Sequence, residues 1–230
     1  MGLPNSRRTF LKQSMVIGCT VALPNVLLSQ ENSDDDADIV FENIHTRRSV
    51  RKFKPTPVPE QDIQRIIDAA RMAPTSGNQQ PWKFLVISKR ETIAALKDGI
   101  IESSMEYYRN NPEIADSEES FRERVKSVSD AYMSAPVYIV VLTDNNSKYA
   151  SYNDKDGPLA AGYLLLAARA LGYGTVFITD SIPESVTKEV LNIPDHYTRV
   201  CITPVGVPEE WPETPEKKDL ESFIAYETLG

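Results

Sequence analysis

The chain has 230 residues, 41% of them hydrophobic and 25% charged, enough for one good-sized core and ordinary for a globular protein. A formal net charge of −8 excludes the broadly basic surface with which a nucleic-acid binder neutralises phosphates, so any anionic ligand has to be held by a local cluster. Cys19, Cys201, His45 and His196 share no metal-ligand spacing, so neither a metal nor a disulfide framework is expected.

Residues 1–30 read as an export signal. A basic start precedes an apolar run from Met15 to Leu28 that is interrupted by Pro24, too short and too broken for a comfortable membrane span. Ser6-Arg7-Arg8-Thr9-Phe10-Leu11-Lys12 resembles the twin-arginine signal at every position of its pattern, which implies an exported, periplasmic or membrane-associated protein. Within the same stretch Val16-Ile17-Gly18-Cys19 resembles a lipoprotein box, a second reading in which Cys19 becomes a lipidated terminus. The acidic residues 31–38 then read as a solvated linker, and the folded domain spans 39–230. The twin-arginine route carries proteins already folded, often around a cofactor.

Along the domain, Ile63, Ile66, Ile67 and Ala70 fall on one face of a helix that stops at Pro74. Apolar runs at 83–88 and 137–143, rich in branched and aromatic residues, predict core strands. Between them a helix is expected near 90–99, and a long polar helical stretch from 101 to 134. Residues 158–174 are apolar nearly all round and close on Gly172 and Gly174, the mark of a helix buried on most sides. A strand at 175–179, an amphipathic helix at 184–192 and a strand at 198–207 follow. The connections vary too much for a regular doubly wound sheet, so the fold class is α+β, a mixed sheet flanked by helices.

Two stretches could carry chemistry. Arg47, Arg48 and Arg51 surround Ser49, and forked guanidinium donors beside a hydroxyl match a phosphate. A solvated basic helix end is the other reading of these residues. Farther on, Pro74, Thr75, Ser76, Asn78, Gln79 and Gln80 crowd around Gly77; such amides and hydroxyls can read the polar edge of a flat heterocycle, or cap their own backbone between a helix and a strand. Neither standard glycine-rich nucleotide loop is present, which argues against a dinucleotide fold or an NTPase.

Taken in order, "RRSVRKF", "APTSGNQQPWKF", "AAGYLLLAARALGYGT" and "VGVPEE" resemble the FMN-dependent nitroreductase family, over residues 44–225. The resemblance implies an intertwined homodimer with FMN in two clefts between the subunits. Arg47, Arg48, Ser49 and Arg51 would hold the phosphate and ribityl end, with Lys217 or Lys218 assisting. Pro74, Thr75, Ser76, Asn78 and Gln80 would come from the partner chain, and the helix at 159–171 would lie at the interface. Thr179 and Asp180 stand where the family usually has glycine-rich sequence near the flavin N5 edge; Asp180 could tune the flavin or cap the next helix. Tyr107 and Tyr108 could form a lid over the cleft, or pack as ordinary helix tyrosines.

The cofactor carries such chemistry, so no general acid or base is named. The resemblance implies a ping-pong cycle in which a donor reduces FMN and an acceptor, a nitroaromatic, quinone or activated alkene, takes the electrons in the same cleft. NAD(P)H is the usual donor, whereas an exported enzyme would need an extracytoplasmic one such as a membrane quinol or a protein. An exported flavin-binding electron carrier or flavin store without NAD(P)H turnover is the alternative.

Overall fold

The computed structural model describes residues 32–229; the expected export signal at 1–30, with Cys19, lies outside them. The chain divides between Ala37 and Asp38, and the second unit, Asp38–Gly230, carries the fold. Helix α1 (Asn32–Thr46) takes in most of the acidic segment read as a linker. Along α1 the side chains of Ile39, Val40, Phe41 and Ile44 are exposed.

The frame is an antiparallel sheet of β1 (Trp82–Ile87), β2 (Val137–Asp144) and β3 (Tyr197–Val205), in that order. The central strand β2 is buried from Val137 to Thr143. A pleated strand sends alternate side chains to opposite faces. Tyr138, Val140 and Leu142 pack on one side with Leu96, Ile100 and Val186, and Val137, Ile139 and Val141 pack on the other with Ile63, Ile66 and Leu164. The sheet therefore has a core on both faces, which is why β2 reads as a continuous apolar run rather than an alternating one.

Helices α2 (Glu60–Ala70) and α5 (Asn153–Ala170) contribute to the second core. Helices α3 (Arg90–Asn110) and α6 (Glu184–Leu191) supply the first. Helix α3 runs ten residues or so beyond its expected end at 99, because nothing from Gly99 to Asn110 stops it before Pro112. Helix α4 (Glu118–Tyr132) starts separately on a capping box between Ser117 and Ser120, which satisfies backbone donors that its first turn leaves open.

The strand expected at 175–179 forms no ladder. Gly174, Thr175 and Ile178 instead make single bridges to Gly206, Ser49 and Ile202, three partners in three places. Helix α5 begins at Asn153, before the expected 158, and accommodates Pro158. Its residues Ala160, Ala161, Leu164 and Ala168 are buried while Leu159 and Tyr163 remain exposed. Beyond Val207 the chain carries no further strand or α-helix among the described residues, and its apolar side chains, Leu220, Phe223 and Tyr226, are exposed.

Candidate active site

The arginine cluster follows α1 on a short extended segment. Val50 and Phe53 bury themselves in the core. Between and around them, the Val50 N–H donates to the Thr175 carbonyl at 2.9 Å and the Lys54 N–H to the Val207 carbonyl at 2.9 Å. Gly174 makes this docking feasible, since a Cβ there would sit 2.7 Å from the Val50 Cβ. With the backbone fixed, Arg47, Arg48, Ser49 and Arg51 line a cavity of about 470 Å3 together with Lys217.

Arg48 donates to the carbonyls of His45 (2.6 Å) and Arg47 (2.8 Å), and also to the Thr214 hydroxyl. It thereby fastens the end of α1 to the C-terminal segment. Arg51 donates to the Tyr132 hydroxyl at 3.2 Å. None of these three guanidiniums has a carboxylate within 4.0 Å among the described residues, although Glu213 lines the same cavity. Three arginines and a lysine against one carboxylate make a locally positive hollow in an acidic protein. Such forked donors with a hydroxyl among them fit a phosphate group. Lys217 lines this hollow; the exposed Lys218 does not.

The polar loop is built differently. A 3-10 turn at Ser76–Asn78 is tied to α5 by Asp156, a residue only 4% exposed. Asp156 accepts from the Ser76 N–H at 3.1 Å and from the Gln79 side-chain amide at 2.7 Å. Gln79 also exchanges hydrogen bonds with the Tyr149 backbone, donating at 3.1 Å and accepting at 2.7 Å. Gly77, Asn78 and Gln80 all have positive φ, at 56°, 54° and 49°, a conformation that costs non-glycine residues energy and persists where surroundings impose it. The Gln80 amide donates to the Asn78 side-chain oxygen at 3.1 Å, and the Gln80 N–H donates to the Thr75 hydroxyl at 3.2 Å. Thus the amide edges of Asn78 and Gln80 are held side by side at the surface, and exposed Pro74 opens the same loop just before Thr75.

Thr179 lines a second cavity, of about 460 Å3, with Phe177, Asn145, Asn153, Thr198 and Arg199. An extended chain covers about 3.3 Å per residue, so Thr179 lies within roughly 13 Å of Thr175 and hence of the Ser49 bridge. The Thr179 hydroxyl donates to the Asp180 carboxylate at 2.6 Å, and this bond holds the Asp180 carboxyl below the usual carboxylate range. Helix α6 starts after Pro183 with no side-chain cap, so Asp180 does not cap it. Tyr107 is exposed, whereas the Tyr108 ring stacks on Phe121 at 5.0 Å; neither lines either cavity. A larger hollow of about 600 Å3 beside α3 and the start of β2 takes in none of these residues.

The sequence model of the nitroreductase family matches residues 44–207, a span that includes the arginine cluster, the polar loop and Thr179–Asp180. The chain belongs to the nitroreductase family. It is 31% identical over 195 residues, 80% of this chain and 87% of the other, to a Methanothermobacter thermautotrophicus protein with the provisional name NADH dehydrogenase/NAD(P)H nitroreductase. It is 28% identical to a 4-nitrobenzoate reductase of Pseudomonas putida, over 76% of this chain and 87% of that one. Among solved structures, a BluB-like flavoprotein of Clostridium difficile 630 superposes with a TM-score of 0.66 at 28% identity, covering 82% of this chain and 99% of the other.

Within this nitroreductase frame the structure adds residues that the sequence reading passed over. Asp156 locks the polar loop together with the expected Gln79, and Arg199 lines the second cavity. Arg199 could have been found as the one charged residue inside the strand "YTRVCITPV". Asp156 lies ahead of the expected helix start at 158, in the charged run 154–156 that α5 in fact includes. The family match ends at residue 207, so Lys217 joins the phosphate-sized hollow from outside it.

Proposed function

We propose that this chain is an FMN-dependent oxidoreductase which passes electrons from a reduced donor to a nitroaromatic, quinone or other activated small acceptor. Membership of the nitroreductase family supports the FMN-dependent oxidoreductase reading. The single observation that carries the cofactor site is the positive hollow of Arg47, Arg48, Ser49, Arg51 and Lys217, a phosphate-sized cluster in a chain of net charge −8. FMN, when bound, supplies reversible two-electron transfer. The chain's own part is to bind the phosphate, to present amide edges from residues 75–80, and to shape the cleft at Thr179–Asp180.

The working unit is a homodimer in this reading. Exposed Leu159 and Tyr163 on α5, with Ile39, Val40 and Ile44 on α1, leave apolar surface for a second copy. The loop at 74–80, pinned by its own Asp156, then faces the partner's flavin. Donor and acceptor use one cleft in turn, and a nitro acceptor takes two electrons and two protons to give a nitroso group and water.

The family relatives' names favour NAD(P)H as donor. The Ser6–Lys12 stretch, however, supports export by the twin-arginine route, and outside the cytoplasm a quinol or a protein would have to supply the electrons. The test is an absorption spectrum of the purified protein with the released chromophore identified by mass, followed by reduction and reoxidation with a nitroaromatic. Yellow protein that releases FMN and is reoxidised by the acceptor is the expected result. A colourless protein that takes up no added FMN overturns the reading, and bound FMN without acceptor turnover leaves the electron-carrier alternative.

A further inference from the structure

The second cavity contains a cation that the proposed redox chemistry does not use. Arg199 is its only Lys, Arg or His lining residue among the described residues. Its guanidinium donates to the Thr187 hydroxyl at 2.6 Å and to the Thr179 carbonyl. A guanidinium has five N–H donors, so these two bonds orient the group and leave other donors for a ligand. Burial pulls its ionisation down from the ordinary arginine range, against the opposing pull of the nearby Glu184 and Asp180 charges.

Glu184 and Asp180 act on the Arg199 guanidinium through space, but neither pairs with it directly. Asp180 accepts from the Thr179 hydroxyl at 2.6 Å. Glu184 lies 3.5 Å from the Lys188 ammonium and accepts the Arg199 backbone N–H at 3.2 Å. Asp154, also on the cavity wall, pairs with Lys155 at 3.1 Å. No carboxylate of the described residues lies within 4.0 Å of the Arg199 guanidinium. Leaving a partly desolvated cation unpaired is unfavourable unless a ligand completes it.

The other walls narrow the ligand. Phe177 is 38% exposed and gives the cavity an aromatic surface, against which a flat ring can stack. Asn145 and Thr198 hydrogen-bond to each other at 3.0 Å on the polar side. Thr179 belongs both to this cavity and to the edge where the resemblance sets the isoalloxazine. We infer that Arg199 is a receptor for the carboxylate of an aromatic substrate, so that aromatic acids are the favoured acceptors of this site. Planar forked donors suit a carboxylate better than any neutral group of the same shape. The inference rests on the oxidoreductase reading for its function, but its binding chemistry can be tested without it.

The experiment is a ligand-observed NMR titration of the full chain with benzoate, benzamide and benzyl alcohol, with flavin content read separately from the absorption spectrum. Benzoate is expected to bind about 10-fold or more tighter than its two neutral analogues, the value of one well-placed charge-assisted contact. Arg199→Leu should abolish that preference and Arg199→Lys should retain part of it. Equal binding of the three probes by the unaltered chain overturns the inference, whether or not the leucine variant folds. So does a folded Arg199→Leu variant that weakens all three alike, because a purely structural arginine does that. A yellow protein without the benzoate preference sinks the anion site alone; a colourless protein that keeps the preference sinks the oxidoreductase reading alone.

Discussion

Residues 47–51 and residues 75–80 are both polar and both follow a helix, yet they are held in opposite ways. The first stretch is anchored through its backbone and through buried Val50 and Phe53, while its guanidiniums have no carboxylate of the described residues within 4.0 Å. The second is locked through side chains, with Asp156 and Gln79 imposing positive φ on Asn78 and Gln80. One region awaits its counter-charge; the other is already in its final shape. A phosphate supplies its own strong electrostatics and tolerates an open hollow. A heterocycle edge offers weaker and more directional bonds, which need a preset donor and acceptor pattern.

Breaking the first region should have the largest effect. Replacing Arg47 and Arg48 by Met removes two charged hydrogen-bond donors, each of about 1.5–3 kcal/mol. FMN affinity should fall roughly 100-fold or more, and the flavin-free chain should also melt somewhat lower, because Arg48 ties the end of α1 to the C-terminal segment. Fluorescence titration with FMN measures the first and a melting curve the second. An unchanged FMN affinity would return this stretch to a solvated helix end.

Breaking the second should act on the fold as well as on the ligand. Asp156→Ala leaves the Ser76 N–H and the Gln79 amide without their acceptor, at a cost of about 2 kcal/mol. For a chain of this size that is roughly a 4–8 °C fall in melting temperature. Asp156→Asn, which keeps one acceptor oxygen, should fall less. If Asp156→Ala melts like the parent, the loop is not locked as its hydrogen bonds imply.

A smaller effect separates both regions from the scaffold beneath them. Burial pushes the Cys201 thiol up to about 12 from 9.0. It does the same, with the Asp62 hydrogen bond, to the Tyr173 hydroxyl, from 10.0 to about 12. Both groups stay protonated in the folded chain after the unfolded chain has released its protons. Their contribution is complete below about pH 9 and is lost as pH rises toward 12. Melting temperatures from pH 8 to 11 should decline, and less steeply in Cys201→Ala.

The same contrast explains what could be read in advance. Period and apolarity revealed α2, β1, β2, α6 and β3, because each buries residues at fixed spacing against the core. The ladder expected at 175–179 is absent because its backbone is bridged singly, to Ser49 at one end and Ile202 at the other, while Val176 and Ile178 pack into the core, a matter of long-range placement. The arginine cluster was visible as composition. Asp156 and Arg199 were not, because their roles depend on partners 80 and 20 residues away in sequence. The signal-like first thirty residues remain a reading of sequence pattern.

The central claim is that FMN sits in sites completed by two copies of the chain. Native mass spectrometry of the full chain, purified with its chromophore, tests it most directly. The account predicts a dimer carrying two FMN, converting to a flavin-free species in the Arg47→Met, Arg48→Met variant. A monomer that holds FMN with full affinity, or a dimer with none, would contradict it.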